Sequence, residues 1–216
     1  LDGRELPWET IDEQPDLARI QLPAAIAPGD SLLLSIPFRL RIPELFGHFG
    51  HLGQYYQMTY WHPCPATYDS SGWQIMPYLE MGNVQQEFAD YEVRLTLPAN
   101  YLVAASGELQ TAAERKFLQE KKAETERLLE AGFPVNPPTA RSSDSLKTLH
   151  FSASAVPGFA WCASKDFYLL ERQTGPDSVR CQVFFSNQNI KLWRRAPLLL
   201  DDALAYARSA DFQGSG

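Results

Sequence analysis

Four histidines and three cysteines are the side chains of this 216-residue chain best suited to hold a metal or move a proton. His48 and His51 fall in a stretch punctuated by Gly47, Gly50 and Gly53, and His62 and Cys64 follow soon after. Nitrogen and sulfur donors of this kind bind zinc, but a glycine-rich loop is poor support for a structural site, and no carboxylate stands at ligand spacing beside them. Hydrogen bonding within an ordered loop is therefore expected of these four. His150 falls inside a strand pattern, where a packed or surface side chain is expected. Cys162, between Trp161 and Ala163, reads as a buried small hydrophobe rather than a nucleophile, because no base lies near it in sequence. With Cys64, Cys162 and Cys181 one thiol must stay unpaired, and no Cys-x-x-Cys spacing occurs, so no disulfide framework is implied. H-E-x-x-H, G-x-S-x-G, the Walker loop and G-x-G-x-x-G are all absent.

The remaining chemistry-bearing group is aromatic: Tyr55, Tyr56, Tyr60, Trp61, Tyr68, Trp73 and Tyr78. Such a cluster can form a platform for a sugar or a peptide, but core and loop packing is its more frequent use. Net charge is −7 and the basic residues are scattered apart from Arg194-Arg195, which argues against nucleic acid as a partner. A hydrophobic content of 44% can fill a core, whereas no apolar run approaches the roughly 20 residues of a membrane span. The sequence leaves the compartment open between cytoplasm and a bacterial cell envelope or secretion. Leu1 does not resemble a natural start, so an excised or processed piece of a longer protein is expected.

The elements that must position these residues are mostly strands. One edge strand at most is expected before residue 14, and residues 17–22 alternate. Residues 31–42 give the cleanest period-two pattern, with Leu32, Leu34, Ile36, Phe38 and Leu40 on one face, and so predict a long half-buried strand. Pro43 ends it, and residues 46–53 read as a flexible loop. Residues 55–61 return to the sheet, and residues 63–81 form a long ordered loop. Residues 86–97 and 101–105 are strands, with Gly107 as a break. Thr111 and Glu114 then form a capping box for a helix over 111–131, stopped by Gly132 and Pro134. Its apolar residues Phe117, Leu118, Leu128 and Leu129 make a narrow stripe, which predicts a surface helix with a wide solvated face. Residues 136–145 are a polar loop. Residues 146–155 form a strand with Leu146, Leu149, Phe151 and Ala153 inward. Strands follow over 159–171 and 179–185 around a Gly175-Pro176-Asp177 turn. From Asn189 the pattern is helical, with Pro197 as a kink or restart, and residues 214–216 read as a frayed end.

Taken in order, Ile42-Pro43, Phe46-Gly-His-Phe-Gly-His51, Trp61-His-Pro-Cys-Pro-Ala-Thr-Tyr-Asp69 with Gly72-Trp73, Asp90-Tyr-Glu-Val93, Leu97-Pro98 and Val103-Ala-Ala-Ser-Gly-Glu-Leu109 resemble the amino-terminal β domain of aminopeptidase N-like zinc metallopeptidases, bacterial branch. Phe159-Ala-Trp-Cys-Ala-Ser-Lys-Asp-Phe167 is similar to the segment in which that family passes into its catalytic domain. The likeness runs along nearly the whole chain.

That resemblance implies a mainly β, saddle-like antiparallel domain, sandwich-like in its layering, over residues 1–155. The opening strands and helix of a thermolysin-like catalytic domain would then occupy residues 156–216. It implies a peptide substrate for the full-length protein, cleaved from its amino terminus by a zinc ion held on H-E-x-x-H and a distant Glu. Those ligands are absent from residues 1–216, so this chain is expected to bind no catalytic zinc, to hydrolyse nothing alone, and to serve its own catalytic domain as scaffold and pocket wall. Where the family places a Gln or Glu that receives the substrate's free amine, this chain has Tyr60, followed by Trp61. The resemblance thus assigns Tyr60 and Trp61 to the substrate pocket, with Gln57 or Gln54 as the amide acceptor if the register differs. The competing reading is a free-standing β-sandwich binding module that recognises peptide or carbohydrate through its aromatic loop. A hydrolase complete within these residues, using Cys162 or a metal, is the third, and no such activity is expected. A chain ending inside a second domain should also expose apolar surface over 159–185 and self-associate.

Overall fold

A computed structural model of the protein describes residues 3–11, 14–45, 47–76, 86–134, 138, 140–175, 178–186 and 190–209, the side chain of residue 191 excepted. Phe46, Tyr78, Met81, Asn136, Pro176, Asp177, Asn189 and residues 214–216, for which the sequence predicts loop, turn and terminal roles, lie outside the described residues. The fold is mainly β, in several antiparallel sheets with a small helical content.

The chain opens with a hairpin, β1 (Trp8–Ile11) against β2 (Gln14–Ile20). β3 (Phe49–Leu52), β4 (Tyr55–Met58), β8 (Leu102–Ala105) and β11 (Trp161–Ser164) make a four-stranded sheet in the order β3-β4-β11-β8. Between them in sequence come the short hairpin β5 (Thr67–Asp69) and β6 (Gly72–Gln74), and β7 (Ala89–Pro98). A three-stranded sheet has the order β7-β10-β9, with β9 covering Glu108–Leu109 and β10 Leu146–Val156. The helix α1 (Ala112–Ala131) lies between β9 and β10 in sequence, and the hairpin β12 (Tyr168–Thr174) with β13 (Val179–Phe185) packs against it. Two further helices, α2 (Ile190–Trp193) and α3 (Ala196–Ala207), follow, with Pro197 in the first turn of α3, so this proline restarts a helix rather than kinking one.

β8 joins two cores because its side chains alternate faces. Val103 enters a cluster with Tyr101, Leu149, Phe151, Ala153, Phe159 and Ala163, while Leu102 enters another with Leu118, Phe167 and Leu169. The first cluster ties the three-stranded sheet to the four-stranded one, and the second seats α1.

Several expectations are corrected. Residues 31–42 form no strand: they have no ladder partner among the described residues, and Leu32, Leu34, Ile36, Phe38 and Leu40 remain 42–48% exposed. Period-two patterning marks a face only where a neighbouring strand completes the ladder, and Pro37, midway along the run, removes a donor such a ladder would need. His51 is not in a loop but in β3, where Gly50 is required by a close approach: a Cβ there would sit 2.4 Å from the Leu45 carbonyl oxygen. The run 159–171 splits into β11 and β12, which belong to different sheets, at a turn where Ser164 Oγ accepts from the Asp166 amide at 3.1 Å. Leu146 lies at the sheet end opposite Pro98 and is 66% exposed, not inward.

The capping box does not form either. Thr111 is the residue before α1, but its hydroxyl makes no cap; it accepts instead from the His150 amide on β10 at 2.9 Å. Glu114 is buried and receives Lys147 Nζ on both carboxylate oxygens, at 2.7 and 2.8 Å. Both residues of the motif thus dock α1 onto β10. The helix face is polar at its centre as well, for Thr125 is fully buried and accepts from the Leu169 amide of β12 at 3.1 Å. Within 159–185, Phe159, Ala163, Phe167, Leu169, Val183 and Phe185 are buried, while Val179 is 38% exposed.

Candidate functional site

β4 runs into a sharp turn at Tyr60, whose φ of 56° lies in the left-handed region. A bulky aromatic residue adopts that conformation at a cost of about 1–2 kcal/mol, so surrounding contacts must hold it. One such contact is the Thr59 amide donating to the His48 carbonyl at 2.9 Å; the Tyr60 ring lies 6.5 Å from that of His48. The turn delivers Trp61 to the first core. Its Nε1 donates to the Phe159 carbonyl at 2.9 Å, across 98 residues of sequence, and its ring packs edge-on against Trp161 at 6.3 Å. The segments around Trp61 and around Phe159, far apart in sequence, therefore meet. Phe38 reaches the Trp61 ring at 6.4 Å, which gives the unpaired residues 31–42 one point of attachment.

Gln57 is not brought to the same place. Along β4, Tyr56 packs on the first core with Trp61, whereas Tyr55 packs on the second, and Gln57 shares the Tyr55 face. Its Oε1 accepts from Tyr55 Oη at 3.0 Å. Gln54 is engaged too, its Oε1 accepting from Tyr101 Oη at 2.7 Å. Trp161 Nε1 is buried with no acceptor among the described residues.

The expected loop chemistry divides. His51 stacks on Tyr56 at 5.5 Å and His48 faces Tyr60, so neither joins the other two donors. His62 and Cys64 do meet: Sγ lies 3.3 Å from His62 Nδ1, and Gln86 Nε2 donates to the sulfur at 3.2 Å. Burial pushes the Cys64 thiol up, against hydrogen bonds from Tyr91 and Gln86 that pull it down, so the sulfur is a protonated thiol at neutral pH. The proximity of Gln86 and Tyr91 could not be read from the sequence, because the former precedes β7 and only the fold carries the loop back over it. Among the described residues no group of three or more His, Cys, Asp or Glu is placed to hold a metal ion.

Cys162 sits on β11 beside Tyr55 at 3.9 Å. Burial raises its thiol, and burial followed by the neighbouring sulfur pushes the Tyr55 phenol up to about 12. Neither is a base or a nucleophile near neutral pH. Lys165 and Asp166 occupy the turn after β11. At the far end of the aromatic group, Tyr68 and Trp73 pair across the β5-β6 hairpin at 4.9 Å and are 66% and 61% exposed, the only members of the group that present such a surface among the described residues. No described helix is long and apolar enough to cross a membrane. No family model matches this chain, and no curated protein or solved structure matches it either.

Proposed function

We propose that this chain is the non-catalytic amino-terminal region of an aminopeptidase-type zinc metallopeptidase, in which it serves as scaffold and as one wall of the substrate pocket. The reading rests on the ordered motifs from Ile42 to Phe167. It is supported by one geometric observation above the others: Tyr60 is held at positive φ at the position where the family receives the substrate's amine, with Trp61 pinned to the Phe159 carbonyl behind it. A residue kept in an unfavourable backbone conformation by its surroundings is a mark of a functional position. Under this reading the pocket residues are Tyr60, Trp61 and Gln57, the last of which would have to leave the Tyr55 hydroxyl to meet the substrate's amine. A phenol in place of an amide or carboxylate offers one oxygen and a bulkier wall, so the full-length protein should favour small first side chains. Zinc and its general base belong to residues of the full-length protein outside this chain. The region from residue 156 is proposed as the beginning of the catalytic domain, although β11 pairs with β4 and β8.

The test is direct. Reading the parent coding sequence beyond residue 216 should give H-E-x-x-H followed by a distant Glu, and residues 1–216 alone should leave aminoacyl p-nitroanilides intact. A parent sequence without that motif would end the proposal.

A second reading, a binding module for peptide or carbohydrate, draws on the exposed Tyr68–Trp73 pair. Titration with oligosaccharides and peptides while following tryptophan fluorescence separates the two, since only the module loses its ligand response on Trp73→Ala.

A further inference from the structure

We infer that the concavity between β8, β9, β13 and the first half of α1 is a binding site for a small organic anion with an apolar body, of the kind represented by a medium-chain carboxylate. The cavity measures about 370 Å³, within the range of small-molecule sites. Its walls include Val103, Leu118, Phe151 and Phe184, which together form an apolar lining. Three cations converge on it, Arg115 and Lys116 from α1 and Arg180 from β13, and no acidic side chain is among the described residues that line it.

The charge pattern runs against the chain as a whole, which carries −7. None of the three cations makes an ion pair among the described residues; the salt bridges there are Arg19–Glu9, Lys121–Glu124, Lys122–Glu171, Lys147–Glu114, His150–Glu92 and Arg172–Asp201. Arg115 is already oriented, because its Nη2 donates to the Gln110 carbonyl at 3.0 Å, which leaves the other guanidinium donors for a ligand. Surface cations usually sit over polar ground, where water satisfies them. Here they stand beside an opening whose lining includes the buried side chains of Val103, Leu118 and Phe151, and only a ligand that is both charged and apolar satisfies both parts of the site. A bare phosphate would meet the cations and leave the lining wet. A neutral hydrocarbon would do the reverse. The site is independent of the peptidase reading, since Tyr60 and Trp61 are not among its lining residues.

The experiment is calorimetric titration of the protein with octanoate, beside octanamide, at low and moderate salt. Octanoate should saturate one site and bind about tenfold or more tightly than octanamide, and its affinity should fall as salt screens the cations. The triple variant Arg115→Gln, Lys116→Gln, Arg180→Gln should weaken octanoate by about tenfold or more and leave octanamide unchanged, while Arg94→Gln on β7 changes neither. Because all three side chains are exposed, the triple variant should unfold at the parent temperature, and Ala104→Leu, which narrows the cavity instead, should weaken both ligands. Equal affinity for octanoate and octanamide, no saturable binding, or an unaffected triple variant would each overturn the inference. So would preferential binding of an acidic peptide, which would make the cations a macromolecular contact.

Discussion

Removing one partner of the Glu114–Lys147 pair should cost far more than removing both. The ammonium lies on both carboxylate oxygens at 2.7 and 2.8 Å, only 16% and 6% of the two side chains is accessible, and Lys147 also sits 4.6 Å over the Phe117 ring. Burial acts against ionisation on both sides, raising Glu114 and lowering Lys147, while each partner opposes that shift in the other. The bidentate contact decides the matter, and the pair is ionised at neutral pH. Breaking a fully buried pair costs about 3–5 kcal/mol; because Lys147 keeps some access to water, about 2 kcal/mol is expected for Glu114→Gln or Lys147→Met. The double variant removes both charges and should lie within about 1 kcal/mol of the parent, so the cycle should give a coupling of about 3 kcal/mol. The pH dependence follows from the sign of the Glu114 shift. A carboxyl whose folded pKa is raised contributes most below its unfolded value and loses that contribution as pH rises through the folded value, so Lys147→Met should be nearest to the parent at acid pH and worst above neutrality. Urea unfolding followed by circular dichroism at pH 5 and pH 8 measures all of this. Additive single and double variants, or a Lys147→Met penalty that grows toward acid, would refute the reasoning.

Other expectations concern the elements around the site. Trp61→Phe keeps the ring but leaves the Phe159 carbonyl without its 2.9 Å donor, for an expected loss of about 1–3 kcal/mol in urea unfolding. Gly107 has a φ of 77°, and a Cβ there would meet the Ser152 carbonyl oxygen at 2.3 Å, so Gly107→Ala should lower stability by about 2 kcal/mol or more, read as a fall in melting temperature. Thr125→Val is close in shape but strands the Leu169 amide, now bonded to Thr125 Oγ1 at 3.1 Å, and should cost about 1–3 kcal/mol, with faster amide exchange at Leu169.

What could be read in the sequence was decided by whether a local pattern kept its local meaning. β7 and β10 follow their patterns where Val93, Leu95, Leu97, Leu149, Phe151 and Ala153 meet the first core, whereas β8 buries Leu102 and Val103 on opposite faces, which no one-sided pattern marks. Residues 31–42 carry the clearest alternation of all and form no strand, since pairing depends on a neighbour the segment itself cannot specify and Pro37 removes a donor within it. The capping box at Thr111 failed for a comparable reason: both side chains found stronger partners on β10, a strand whose nearness no helix motif encodes. Trp61 is a residue the resemblance assigns to a pocket, and the partner it has in the fold, the Phe159 carbonyl, is a backbone atom with no sequence signature. Gln57 shares a face of β4 with Tyr55 rather than Tyr56, and which core each face meets is not written in the strand itself. The basic cavity was invisible, as Arg115, Lys116 and Arg180 come together only when the β12-β13 hairpin packs on α1 through β12.

As proposed, Tyr60 and Trp61 line a peptidase pocket, and the metal and its water are held by other residues of the full-length protein. Steady-state hydrolysis of alanyl and leucyl p-nitroanilides by that protein, compared with its Tyr60→Ala and Tyr60→Gln variants, tests it most directly. Chelator-sensitive activity is expected in the parent, with a changed ratio of leucyl to alanyl kcat/KM in both variants and bound zinc unaltered. Activity with an unchanged ratio in both variants, or no activity in the zinc-loaded parent, would contradict it.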